Sequence, residues 1–257
     1  MSDESTGLPP SIEAAWGLRD RPARGPKPGL SLKRIVAAGI AVASAEGLPA
    51  VSMSRVAAEV GASTMALYRY VGAKDELLAL MVDAAYGPPP QAEPPGGDWR
   101  EGLSRWAWAE LHGVLRHPWA LRVPITGPPV TPNQIAWLEQ GLRCLGSTKL
   151  AESEKLSTIL LVSGYVLRWA TLATDLGELP GTPGAEAGPE ADGKPADDGT
   201  AYWQALAKVM DPERFPAVTA VLKAELAGEG SDDFLAEFVF GLERVLDGIE
   251  VLVKGRG

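Results

Sequence analysis

The chain has 257 residues, 46% of them hydrophobic, and a formal charge of −9. That is enough to bury a substantial core in one or two domains, and no continuous apolar run approaches the roughly 18 residues that span a bilayer. The amino terminus "MSDESTGLPP" lacks the apolar centre of a signal peptide, so a cytoplasmic location without a membrane partner is expected. Cys144 is the single cysteine, which excludes an internal disulfide, and with only two histidines the chain has too few soft ligands for a zinc cluster.

The charge is unevenly spread. Arg19, Arg21, Arg24, Lys27, Lys33, Arg34, Arg55, Arg69 and Lys74 face only Asp20, Glu46 and Glu59 within the same stretch. A basic segment joined to an acidic remainder is the layout of a nucleic-acid reader with a separate second domain.

In chain order, residues 1–30 are rich in Pro, Gly and charge and read as a flexible basic arm with Trp16 as an anchor. Ser31 is an N-cap candidate for a first helix, in which Leu32, Ile35, Val36, Gly39, Ile40 and Ala43 recur at helical spacing until Gly47 stops it. A second helix, "MSRVAAEV", follows Ser52 and ends at Gly61. Ser63 caps a third, "TMALYRYV", and "GAKDELLALMVDAAYG" makes a fourth. The block 87–98, "GPPPQAEPPGGD", breaks the pattern, because proline cannot donate a backbone hydrogen bond. Beyond it helices are expected at 99–115, 119–125, 132–145, 152–175, 201–210, 215–227 and 232–253, with 177–199 as a mobile linker. With no alternating strand pattern and no repeat, the fold class is all-α. The expected domains are an arm at 1–30, a DNA-binding unit at 31–86, and a second helical domain at 98–257.

The second and third helices, with a glycine turn between them, form a helix-turn-helix pattern, whose second helix lies in the major groove. Leu67 and Val71 sit four apart and can pin the third helix, leaving Thr64, Met65, Tyr68 and Arg69 outward. Arginine suits guanine or phosphate, hydroxyls suit phosphates and base edges, and Met65 or Ala66 can meet a thymine methyl. Lys74 opens the next helix and would add phosphate contact; a surface helix with outward tyrosines is the bland alternative.

Residues 30–83, with their three-helix unit, the "G…LYRYV…K" segment and "KDELL", resemble the DNA-binding domain of the tetracycline-repressor (TetR) family. The second half is similar, through "LRHPWALRV" and the helices flanking it, to the ligand-binding domain of the tetracycline-repressor branch. The resemblance implies a homodimeric, ligand-responsive repressor without enzymatic activity, binding a double-stranded and palindromic operator. It places DNA contacts on Ser52, Ser54, Arg55, Thr64, Met65, Ala66, Tyr68, Arg69, Tyr70 and Lys74. The long arm departs from the family pattern, as do Met53 and Ser54, where members often have an arginine or threonine.

Dimerisation is expected through 152–175 and 232–253. The last helix carries a broad apolar stripe (Leu235, Phe238, Val239, Leu242, Val245, Leu246, Ile249, Leu252), more than one neighbour could cover. Aromatic side chains are concentrated in the second domain, and pockets for flat organic molecules are mostly apolar with a few polar groups. Trp106, His112, Trp137, Tyr165, Arg168 and Trp169 are the candidate effector contacts, with ordinary core packing as the competing reading. No cofactor or metal is expected, because His112 and His117 are too far out of phase to share one helix face. The remaining functional alternative is a small-molecule carrier that does not read DNA sequence.

Overall fold

A computed structural model describes residues 6–18, 30–90, 97–177, 200–228 and 234–256, and every regular element among them is helical. The expected linker and the arm's Arg19, Arg21, Arg24 and Lys27 lie outside the described residues.

Serine caps set the starts of the first three long-predicted helices. The helix α2 (Leu32–Glu46) begins where Ser31 Oγ accepts the Arg34 amide at 3.3 Å. In α3 (Met53–Val60) Ser52 Oγ accepts the Arg55 amide at 3.1 Å, and in α4 (Thr64–Tyr68) Ser63 Oγ accepts the Ala66 amide at 3.2 Å. Each cap satisfies a backbone donor that the first turn leaves unpaired. Between α3 and α4 Gly61 takes the left-handed conformation at φ 69°, which lets the Ala62 amide reach back to Ala57 O at 2.9 Å. The helix α5 (Lys74–Tyr86) then crosses α2 and closes a core of Ile35, Val42, Val51, Val56, Leu67, Val71, Leu77 and Met81.

Two expectations differ from the structure here. Residues 10–15, placed in a flexible arm from composition, form a short helix α1 (Pro10–Ala15) docked on α5. Ile12 is buried in the first core, Ser11 Oγ donates to Glu76, and the Trp16 indole donates to Val130 O at 2.8 Å. Proline and charge around it hide one apolar side chain and one anchoring indole. The expected third helix of residues 64–71 is also shorter: it ends at Tyr68, and residues 69–71 close a turn through Tyr70 N and Val71 N to Leu67 O at 2.8 and 3.0 Å.

The second half is a bundle of α6 (Trp99–Leu115), α7 (Pro132–Cys144), α8 (Glu152–Leu176) and α11 (Phe234–Gly255) around Leu103, Leu111, Val114, Val162, Val166, Phe238, Leu242 and Leu246. The expected helix at 119–125 is instead a 3-10 turn over Pro118–Arg122. The pair α9 (Thr200–Val209) and α10 (Pro216–Leu226) pack on each other. By length and composition α8 is apolar enough to cross a membrane, which the search for one continuous apolar run missed. Its apolar residues lie on two faces: Ile159, Val162, Val166, Trp169 and Ala173 fill the bundle, while Leu156, Leu160, Leu161 and Leu176 are exposed.

Two joints tie the halves together, and an ion pair holds the connecting turn to the bundle. Asp83 of α5 caps α7, accepting the Asn133 and Gln134 amides at 2.9 and 3.1 Å and the Asn133 side chain at 3.0 Å. Trp119 inserts from the 3-10 turn into the first core and donates to Ser44 Oγ at 3.2 Å. Arg122 of the same turn pairs with Asp175 of α8.

Candidate nucleic-acid interface and effector bundle

With Leu67 and Val71 both fully buried, α4 turns the rest of its surface outward. Met65 is 74% exposed and Tyr68 46%, while Arg69 and Lys74 are exposed beside them. Thr64 and Ala66 are half-buried at the start of the same helix, and Ser54 is exposed at the head of α3 with its hydroxyl 3.2 Å from that of Ser52. Met65, Tyr68, Arg69, Lys74 and Ser54 are thus the exposed members of the expected contact set.

Three predicted contacts are otherwise engaged. Ser52 uses its hydroxyl as the α3 cap. Tyr70 turns inward, and its hydroxyl donates to Leu30 O at 3.2 Å. The Arg55 guanidinium is clasped by Glu46 at 2.6 Å and by Glu59 at 2.8 Å, and these hydrogen bonds hold its pKa above the ordinary arginine value. The same contact lowers the Glu46 carboxyl.

The six predicted effector contacts do not converge on one open pocket. Trp106 and Trp137 are buried edge to face at 6.3 Å, and Tyr86 stands edge-on to Trp137 at 6.5 Å. Their indole N–H groups are spent within the protein: Trp106 donates to Trp137 O and Trp137 to Gly87 O, each at 3.0 Å. A second cluster gathers on Phe238, with Trp169 at 5.0 Å, Tyr165 stacked at 5.5 Å and Trp108 edge-on at 4.8 Å. The Tyr165 hydroxyl donates to Phe238 O at 2.8 Å, and Gly241 leaves it room, since any side chain there would strike that hydroxyl. His112 is exposed and stacks on Trp108 at 5.6 Å, and Arg168 is exposed as well. A groove of about 520 Å³ lies elsewhere, between α8 and α11, lined by Ser157, Leu161, Arg244, Val245 and Leu252 among others.

Sequence reasoning missed Glu110, one turn beyond Trp106 on α6. It is only 7% exposed on α6, where Oε1 accepts the Ser163 hydroxyl of α8 at 2.7 Å and Oε2 finds no hydrogen-bond partner among the described residues. Burial pushes its pKa up to about 7, against the opposing effect of the Ser163 hydrogen bond. Burial, and then the charge of Glu110, raise the pKa of the Tyr86 phenol that ends α5. A signal existed: Leu103, Trp106, Ala107, Glu110, Leu111 and Val114 trace one helical stripe, and Glu110 is the acid in an otherwise apolar row.

The comparisons agree with this geometry. Residues 35–81 match the family model for "Bacterial regulatory proteins, tetR family", and residues 90–253 match "Tetracyclin repressor-like, C-terminal domain". The HTH-type transcriptional repressor DrrR1 of Streptomyces coeruleorubidus is 38% identical over 251 residues, covering 96% of this chain and 87% of that protein. An HTH-type transcriptional regulator of Saccharopolyspora erythraea is 31% identical over 155 residues, 60% of this chain and 65% of its own. Among solved structures, the TetR family protein ActR of Streptomyces coelicolor in complex with actinorhodin superposes with a TM-score of 0.69 at 25% identity, covering 89% of this chain and 98% of that one.

Proposed function

Since the chain belongs to the tetracycline-repressor family of helix-turn-helix regulators, and is a ligand-responsive DNA-binding repressor, we propose that α4 is its recognition helix and that the α6–α8 bundle receives a small hydrophobic or aromatic effector. The observation that carries the assignment is the division of α4 into a buried anchor, Leu67 with Val71 just beyond it, and an exposed edge of Met65, Tyr68 and Arg69. Arg69 reads a base or a phosphate, Tyr68 and Thr64 supply hydroxyls, Met65 and Ala66 meet thymine methyls, and Lys74 with Ser54 completes the phosphate clamp. Arg55 joins the contacts only if DNA competes it away from Glu46 and Glu59; Ser52 and Tyr70 act by holding the helices in place.

Proteins of this family typically act as dimers and are not enzymes. The second copy would cover the exposed leucines of α8 and the groove against α11, setting two recognition helices about 34 Å apart on a palindrome. ActR is in complex with actinorhodin, and a flat organic effector suits the tryptophan-rich bundle here. Such a ligand releases the operator to the extent that it binds the DNA-incompetent arrangement more tightly, a coupling of about 1–3 kcal/mol.

The test is fluorescence anisotropy of the full chain on the duplex upstream of its own gene and on a shuffled duplex, across a salt series. A preference of about a thousandfold with a steep salt slope is expected. Arg69→Ala should cost about 1–3 kcal/mol if Arg69 touches a base. Equal, weak binding to the native, shuffled and selected duplexes would return the molecule to the carrier reading.

A further inference from the structure

The bundle keeps a carboxyl where packing alone would prefer an apolar side chain. Glu110 projects from α6 with Trp106 one turn before it and Val114 one turn after, both buried, and against Ser163 of α8. One of its oxygens is satisfied and the other is not. A buried polar atom without a partner costs free energy that a leucine of similar size would not incur, so its presence calls for a partner from outside. The influences on its charge are burial and the Ser163 hydroxyl; no lysine or arginine is among them. Among the described residues no cation pairs with it, and Arg116, at the end of α6, donates instead to Tyr86 O at 3.3 Å. The side chains about Glu110 also suit a cation: Tyr86 feels its charge, and Trp137 and Trp106 continue from Tyr86 as an edge-to-face series whose ring faces attract positive groups.

We propose that Glu110 is the polar anchor of the effector site, and that the effector is a flat hydrophobic organic cation whose ammonium pairs with Oε2 while its rings lie against Tyr86, Trp106 and Trp137. The proposal deepens the ligand-responsive reading and rests on it. Binding a protonated amine replaces the proton of a neutral Glu110, which leaves to solvent, so the buried carboxylate and the ammonium neutralise one another. An uncharged alcohol can satisfy the hydrogen bond but cannot stabilise the ionised form. Oε2 is out of contact with solvent, so α6 and α8 must part to admit the ligand. A ligand that fits only the parted bundle binds the two arrangements unequally, as an inducer must.

The experiment uses matched probes on the full chain: 1-naphthalenemethylamine, 9-anthracenemethylamine and 1-pyrenemethylamine, each with the alcohol and the carboxylic acid of the same ring body. Affinities are read by calorimetry and operator release by anisotropy. On at least one body the amine should bind at least about tenfold tighter than both counterparts. That preference should disappear in Glu110→Gln and return in part in Glu110→Asp. The cation site is overturned if no probe binds, if alcohols match amines on every body, or if Glu110→Gln keeps the preference. Should an alcohol or acid release the operator instead, only the cation site falls. Should the wild-type chain fail to distinguish its operator from shuffled DNA, the regulator reading falls as well.

Discussion

Replacing Glu110 with glutamine should change how stability depends on pH, and the sign can be worked out. In the unfolded chain the carboxyl titrates near its ordinary value of 4.5, whereas in the folded protein burial raises it to about 7. Between those values the folded state holds a proton that the unfolded state has released, so raising the pH favours unfolding. The penalty is absent below about pH 4.5, grows up to about pH 7 and is constant above it. At about 1.4 kcal/mol for each tenfold change in proton affinity, the full effect is about 3 kcal/mol. Urea unfolding followed by tryptophan fluorescence, at one protein concentration and from about pH 4.5 to 8, measures it in both proteins. Glu110→Gln should gain about 3 kcal/mol relative to wild type across that range, on top of a constant offset from the new amide. A stability difference that does not vary with pH would refute the buried-carboxyl argument.

Replacing both Glu46 and Glu59 with Gln should free Arg55 and strengthen operator binding with a steeper salt slope, read by anisotropy; unchanged affinity would leave Arg55 as a clamp between α2 and α3 only. Leu160→Glu, at an exposed position of α8, should convert the protein to monomers in sedimentation and weaken operator binding on the order of a hundredfold or more through lost bivalency. Asp83→Ala strips the cap from α7 and should cost about 1–3 kcal/mol in thermal unfolding, while also shrinking the effector-induced loss of DNA affinity.

The helical elements were legible because their signals are local. Ser31, Ser52 and Ser63 each sit one residue before an apolar period and do cap helices, and Gly61 does take the left-handed turn. Long-range signals were less legible. Nothing local in "PPSIEAAWG" says that Ile12 is buried against α5 or that the Trp16 indole finds a carbonyl far along the chain at Val130. Aromatic content located the second core but could not separate Trp106 and Trp137, which spend their N–H groups on backbone carbonyls, from a ligand-facing ring. Glu110 was passed over because acidic residues are common on helices; its meaning comes from the row it interrupts. Arg55 shows the converse: the residue type suited DNA, but the carboxylates that hold it come from two positions that the helix-turn-helix pattern does not weigh.

The placement of α5 gives the proposed regulation a physical route. Its first residue, Lys74, follows directly on the turn that ends α4, and its last, Tyr86, is the ring that feels Glu110. Over 13 residues the helix spans about 20 Å and, packed on α2 along the first core, moves more readily as a rod than by bending. Asp83, one turn from its end, fixes it to the start of α7, and Trp119 and Arg122 fix the 3-10 turn to the first core and to α8 at once. A ligand that entered beside Glu110 and parted α6 from α8 would therefore have to displace Tyr86, the α7 cap or the Arg122–Asp175 pair. Each of these is joined to an element that carries or supports α4. In a dimer held through α8 and α11, a small tilt of α5 in each copy changes the separation of the two α4 helices. That separation is the quantity to which a palindromic operator is most sensitive.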